Sequence, residues 1–183
     1  MSRIPLIQRE AADPEQAQLL DAIQAELGQV PNFLKVLANS PSALRAFLGL
    51  HAISSQGSLD AQTRERIALA LAQLNGCAYC VSAHTAIGRR TGLTGAEMAA
   101  ARSGTSEDAK AAVAVKFAQD LMEKHGDVGN IELLQLRAAG YRDGDIVEII
   151  THTALNFLTN LIGKISEVDI DFPKVELALK RVA

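Results

Sequence analysis

Glu65-Arg66-Ile67-Ala68-Leu69-Ala70-Leu71-Ala72-Gln73-Leu74-Asn75-Gly76-Cys77-Ala78-Tyr79-Cys80-Val81-Ser82-Ala83-His84 is the stretch whose reading decides the fold. Asp60 stands where a capping residue would open the helix leading into it, and from Ile67 to Ala72 that helix is apolar on every side. Such a helix belongs in the middle of a bundle, surrounded by others. Gly76 closes it, and a second helix follows at once, ending near Gly92. Two helices meeting at one glycine already set the pattern for the chain.

Working outward, the same punctuation recurs. Asp13-Pro14 opens a segment with Leu19, Leu20, Ile23 and Leu27 that stops at Gly28, and Ser40-Pro41 opens one with Leu44, Phe47, Leu50 and Ile53 that stops before Gly57. In both, proline at the first helical position follows a capping side chain. Thr94 with Glu97 reads as a capping box for a short helix. Thr105 or Ser106 starts a longer one to about His125, and residues 131–139 stop at Gly140. From Asp143 a long apolar helix runs through Ile149, Ile150, Phe157, Leu158, Leu161 and Ile162 towards Ile165. The alternation expected of strands is nearly absent. The expectation is an all-α multi-helix bundle of about eight helices, one domain over residues 1–183, with Asp171-Phe172-Pro173 and a last amphipathic turn or two serving packing. Asp60 and Glu65 share their spacing with Asp143 and Glu148, a faint repeat that proposes a pseudo-symmetric bundle.

At 183 residues and 48% apolar content, the chain can bury one substantial core. Its 18 Lys and Arg against 21 Asp and Glu give a net charge of -3, with no basic run longer than Arg89-Arg90. That balance argues against a nucleic-acid or anionic-membrane partner and for a small or protein one. The N-terminus has no long apolar run, and no later stretch reads as the roughly 20 apolar residues that span a bilayer, so a cytoplasmic location is expected. Two cysteines three apart, without a signal peptide, point to redox catalysis or metal binding rather than a secreted disulfide framework.

On a helix, Cys77 to Cys80 is i,i+3 and Cys80 to His84 is i,i+4, so the three side chains share one stripe with neighbours about 5 to 6 Å apart. That spacing suits a disulfide. Coming just after Gly76, the pair falls in the first turn of its helix, where free N–H groups and the dipole stabilise a thiolate. His84 can accept or return a proton one turn away, the acid/base function that thiol chemistry needs. Glu65 has Ala68, Leu69 and Ala72 as its i+3, i+4 and i+7 neighbours. A carboxylate facing such dry surroundings gains basicity. Were the chain simply to double back at Gly76, Glu65 would lie about one turn beyond His84, so a bridging water or a tilted crossing is expected. Which cysteine is the nucleophile divides two arguments. Cys77 lies nearer the helix N-terminus, whereas only Cys80 has His84 at i+4.

The pattern Glu65-x11-Cys77-x-x-Cys80-x3-His84 resembles the signature of the alkylhydroperoxidase D-like branch of the carboxymuconolactone decarboxylase superfamily. The flanking text is similar too, in Gly28-Gln29-Val30-Pro31-Asn32, Asn39-Ser40-Pro41 and Asn75-Gly76-Cys77. The resemblance is specific over residues 28–93 and looser elsewhere, where Gly140-Tyr141 and Asp171-Phe172-Pro173 echo related members. It implies that Cys80 attacks a peroxide, Cys77 is its disulfide partner, and His84 and Glu65 form the proton relay. An external dithiol or protein reductant, no bound cofactor or metal, and a homo-oligomer of trimeric or hexameric type are implied with it. Where the best-known members carry a second histidine between the cysteines, this sequence has Tyr79. The decarboxylating branch generally lacks the cysteine pair, which argues against that reaction.

Other readings of the same residues remain. Cys77, Cys80, His84 and Glu65 could hold a structural zinc, although zinc usually takes its cysteines from loops or knuckles. The thiols could be inert core residues, a redox sensor or a disulfide-exchange module, or Glu65 and His84 could serve a carbon-acid enzyme without them. His51 and His125 carry no assigned role, and His152 in the apolar last helix reads as a hydrogen-bonded core histidine. Glu148, Asn156 and Asn160 either reach the site from behind or serve contacts between helices or subunits.

Overall fold

A computed structural model describes residues 2–178, of which nine α-helices and one short 3-10 turn (Arg9–Ala11) are the regular elements; no strand occurs among the described residues. The helices are α1 (Pro14–Leu27), α2 (Asn32–Leu37), α3 (Pro41–Ser54), α4 (Ala61–Leu74), α5 (Ala78–Arg90), α6 (Gly95–Arg102), α7 (Ala109–Glu123), α8 (Asn130–Ala138) and α9 (Asp143–Ser166). The all-α expectation holds. Asp13, Ser40 and Asp60 cap α1, α3 and α4 by accepting the N–H three residues on, as capping residues do.

Several details differ from the sequence reading. Helix α2 was not expected: it is six residues long, and Pro31 before it offers no capping side chain. Helix α7 starts later than Thr105 or Ser106, because Asp108 is its cap, receiving the Lys110 and Ala111 N–H groups. Thr94 caps α6 through the Glu97 N–H, but Glu97 does not complete the box. Its carboxylate instead takes Arg66, Ser106 and the Glu107 N–H, a buried cluster that ties α4 to the α6–α7 loop. The faint repeat does not superpose in role. Asp60 is a cap while Asp143 is the first residue of α9, and Glu148 accepts the Ser58 and Leu59 N–H groups rather than a histidine. Residues 173–178 are not helical, and the rest of the expected terminal turn lies outside the described residues.

Helix α4 is the central post, packed against α5, α6, α7 and α9. Its residues Ile67, Leu69, Ala70, Leu71 and Ala72 are all fully buried, as all-round apolarity requires. Truncating Leu69 or Leu71 to Ala would cost about 2–5 kcal/mol. One apolar cluster joins α1, α2 and α3 to the start of α5, and contains Cys77, Tyr79 and Cys80; a second joins α4 to α7, α8 and α9. Contrary to the sequence reading, α9 is long and apolar enough to cross a membrane by length and composition alone. Yet its inward face carries Asp145, His152, Thr153, Asn156 and Asn160, all buried against neighbouring helices, which is the pattern of a core helix.

Candidate active site

The turn between α4 and α5 is what presents the cysteines. Gly76 takes a left-handed φ of 68°, the Cys77 N–H reaches back to the Ala72 carbonyl at 2.9 Å, and the Gly76 N–H to the Gln73 carbonyl at 3.2 Å. These two bonds end α4 as a Schellman motif, which only a residue free to adopt positive φ completes cheaply. The next residue, Cys77, thereby becomes the N-cap of α5, its Sγ accepting the Cys80 N–H at 3.2 Å. Cys77 and Cys80 are joined as a disulfide with Cα atoms 5.3 Å apart, and both are buried.

His84, one turn beyond Cys80 on α5, has Nδ1 2.8 Å from Glu65 Oε2 on α4. No bridging water is needed. The helices bring the two positions level, which a strictly antiparallel return from Gly76 would not do. The Glu65 and His84 side chains keep 14% and 22% exposure, so the pair forms the solvent-facing side of a site whose sulfurs are covered. All four residues singled out in the sequence are therefore assembled at the α4–α5 junction. Among the described residues no group of three or more His, Cys, Asp or Glu is arranged to hold a metal ion.

Tyr79 is turned away from this assembly. Its hydroxyl donates to Asp171 Oδ1 at 2.8 Å and accepts the Phe33 N–H at 3.3 Å, and its ring packs on Phe33 and Phe172. Burial and the neighbouring Asp171 hold the phenol protonated, well above its ordinary range. Asp171 also accepts the Asn32 N–H, so the segment after α9 binds the starts of both α2 and α5.

Helix α9 closes the site from behind, through Gly163 and the Thr159 carbonyl, two positions the sequence reading did not single out. A Cβ on Gly163 would lie 2.9 Å from Cys77 Sγ and 3.4 Å from Cys80 Sγ, and the Thr159 carbonyl oxygen is 3.9 Å from Cys80 Sγ. For Gly163 the hint in the sequence was a glycine inside a long apolar helix, a placement that costs about 1 kcal/mol and asks for a packing reason. Asn160 lies on the same stretch, 1% exposed, with Oδ1 accepting from Asn75 Nδ2 at 2.9 Å. Of the other residues left open, Asn156 donates to the His152 carbonyl. His152 is buried with its Nε2 unpartnered, and burial pushes it towards the neutral form. Neither Glu148 nor Asn156 bonds the cysteines.

Residues 41–120 match the carboxymuconolactone decarboxylase family. The uncharacterized protein YdfG of Bacillus subtilis is 33% identical over 55 residues, a match covering 30% of this chain and 37% of that protein. Among solved structures, the alkylhydroperoxidase AhpD core protein of Ralstonia eutropha, a peroxidase-related protein, superposes with a TM-score of 0.84 at 26% identity, covering 93% of this chain and 92% of its own. A peroxidase-related protein from Silicibacter sp. TM1040 gives 0.78 at 25% identity, with 92% and 94% covered. The debrominase Bmp8, solved with 2,3,4-tribromopyrrole, gives 0.77 at 20% identity over 93% and 92%, a likeness of fold. The segment that matches the carboxymuconolactone decarboxylase family contains the whole Glu65–His84 constellation, and the fold is similar almost end to end to that of the AhpD core protein.

Proposed function

We propose that this protein is a thiol-dependent peroxidase of the alkylhydroperoxidase type, acting through Cys80, Cys77, His84 and Glu65. The observation that carries the reading is the cysteine disulfide at the start of α5 with a histidine one turn beyond it, itself bonded to a carboxylate at 2.8 Å. Glu65 fixes the His84 ring and accepts from Nδ1, leaving Nε2 for proton exchange at the sulfur. In the reduced protein the Cys80 thiolate attacks the outer oxygen of a hydroperoxide. The O–O bond breaks, the alkoxide leaves as an alcohol with a proton from His84, and Cys80 becomes a sulfenic acid. Cys77 then attacks that sulfur, water departs, and the disulfide forms. An external dithiol or protein reductant restores both thiols, and the cycle calls for no bound cofactor.

The same proposal covers the setting. The protein works as one domain in a reducing compartment, the cytoplasm, and copies associate through the outer face of α9. That face exposes Val147, Ile150, Phe157, Leu158, Leu161 and Ile165, with Ile53 of α3 also exposed. Spacings of three, four and seven residues put these side chains on one apolar stripe of the kind that pairs helices. The test of the activity is peroxide consumption with several dithiols by the wild type and by Cys80→Ser. Turnover abolished in the variant is expected; turnover that survives it would refute the thiol mechanism and favour a carbon-acid enzyme using Glu65 and His84 alone.

A further inference from the structure

Asn160 presents an anomaly. It is 1% exposed, its Oδ1 is used by Asn75, and its Nδ2 has no hydrogen-bond partner. A buried amide donor left unpaired costs about 1–3 kcal/mol, so native structures rarely keep one without a use. The position of this donor indicates the use. Asn75, its bonded partner, stands two residues before Cys77, and Gly163, one turn further along α9, is where an added Cβ would come within 2.9 Å of Cys77 Sγ. Thr159, the preceding residue, has its carbonyl oxygen 3.9 Å from Cys80 Sγ. Thr159 and Gly163 of α9 thus lie against the sulfur pair, with Asn160 on the turn between them.

In the disulfide neither sulfur carries charge, and an amide N–H gains little from facing it. Opening the disulfide creates a thiolate among apolar neighbours that include Phe33, Leu34, Leu37 and Ala72. The titratable groups around the pair do not serve Cys77 directly. Glu65 of α4 and His84 of α5 are bonded to each other on the Cys80 side, and Tyr79 of α5 with Asp171 of the C-terminal segment are bonded to each other and turned away. Residues 159–163 contain no ionisable side chain. We propose that Asn160 is a positioning residue that supplies the Cys77 thiolate with a side-chain hydrogen-bond donor when the disulfide opens. The donor is unpaired in the oxidised protein because its acceptor exists only in the reduced one, so that the cost falls on the disulfide and favours its reduction.

The inference rests on the cysteines acting as a redox couple, as proposed above, but its test uses no peroxide. Cys77 is titrated alone in the Cys80→Ser background, by thiolate absorbance and by rate of alkylation against pH. Adding Asn160→Leu, close in shape but without the donor, raises the Cys77 pKa by about one to two units, the value of a hydrogen bond to a charged group. Adding Asn75→Leu instead, which removes the tether and keeps the donor, leaves that pKa in place. In the Cys77→Ser background, Asn160→Leu leaves Cys80 in place as well. An unmoved Cys77 pKa in the Asn160→Leu protein, or the same rise from Asn75→Leu, overturns the proposal and makes Asn160 a tether only. Should Asn160→Leu not fold, Asn160→Ala carries the same expectation. A protein inert towards peroxide in which Cys77 still depends on Asn160 would remove the peroxidase reading and leave this one standing.

Discussion

Gly163→Ala tests how tightly the redox pair is held against α9. The backbone at Gly163 is ordinary helix, so the added methyl carries no conformational penalty and by propensity alone stabilises α9 by about 1 kcal/mol. Against this, the methyl carbon would lie 2.9 Å from Cys77 Sγ and 3.4 Å from Cys80 Sγ, where unstrained heavy atoms sit nearer 3.5–4.0 Å. While the sulfurs are bonded to each other, neither can turn aside, and the overpacking costs about 1–3 kcal/mol. The oxidised variant therefore loses up to about 2 kcal/mol net, a fall in Tm of up to about 4–8 °C for a chain of this size. On reduction Cys77 is free to rotate about its Cα–Cβ bond, the contact relaxes, and the variant matches or exceeds the wild type. The disulfide is disfavoured relative to the dithiol by the same 1–3 kcal/mol, roughly 5- to 150-fold in the equilibrium with a dithiol buffer. Thermal melts in both redox states, with titration of the disulfide against fixed ratios of reduced and oxidised dithiothreitol, measure both numbers. An oxidised variant more stable than wild type by the full propensity increment, with an unchanged dithiol equilibrium, would refute the packing argument.

Glu65→Gln keeps the shape of the side chain but removes the proton acceptor bonded to His84; oxidation of the reduced protein by peroxide slows by about 10²–10⁴-fold in stopped-flow, with the fold intact by circular dichroism, and an unchanged rate makes the pair structural. Cys77→Ser accumulates a sulfenic acid on Cys80 after one equivalent of peroxide, as read by mass spectrometry with a trapping reagent, while Cys80→Ser accumulates none; labelling of Cys77 in the latter reverses the roles. Leu161→Asp on the outer stripe of α9 lowers the assembly size in analytical ultracentrifugation, and a mass identical to wild type removes that face from the interface. The Asp145 carboxyl is held at about 2 by the Ser58 hydroxyl, the Arg142 N–H and the Arg142 side chain; its contribution, about 1 kcal/mol after allowance for solvent screening, is present above about pH 4 and lost as pH falls towards about 2, so acid unfolding of Asp145→Asn is less steep across that window.

The fold was legible where local chemistry announces itself. Asp13, Ser40 and Asp60 each offer an oxygen three residues before an N–H that would otherwise go unpaired, and each helix they announce begins where they say. Helix α2 gives no such sign, since Pro31 cannot cap with a side chain and six residues are too few to display a period. At the start of α7 the difficulty was the opposite one. The sequence reading weighed Thr105 and Ser106, but the Ser106 hydroxyl donates to the Glu97 carboxylate from α6 and accepts the Asp108 N–H, and it is Asp108 that receives the first free N–H groups of the helix. The choice was settled by a tertiary contact, and a buried ion pair nearby, Arg66 with Glu97, is what made that carboxylate available there.

The site divides along the same line. Everything that α5 supplies could be read from spacing, because i,i+3 and i,i+4 neighbours meet whatever surrounds the helix. The contact of Glu65 with His84 needed two helices and was legible only as a constellation: the residue types were recognisable, while a rise calculation with antiparallel helices put them out of reach. What α9 supplies was legible only as an open choice for Asn160 and, for Gly163, as a glycine out of place. Gly163 and Asn160 are some eighty positions from the cysteines, and neither periodicity nor capping rules mention which side chain a distant helix will face. A glycine in a long apolar helix and an asparagine in its core are each unfavourable by local rules, and each becomes reasonable once a sulfur is placed opposite: the glycine makes room for both sulfurs, and the amide holds the strand of chain that delivers one of them. Violations of local preference that cluster on one turn of one helix therefore mark where to look for the far wall of a site, even when the near wall is all that the sequence spells out.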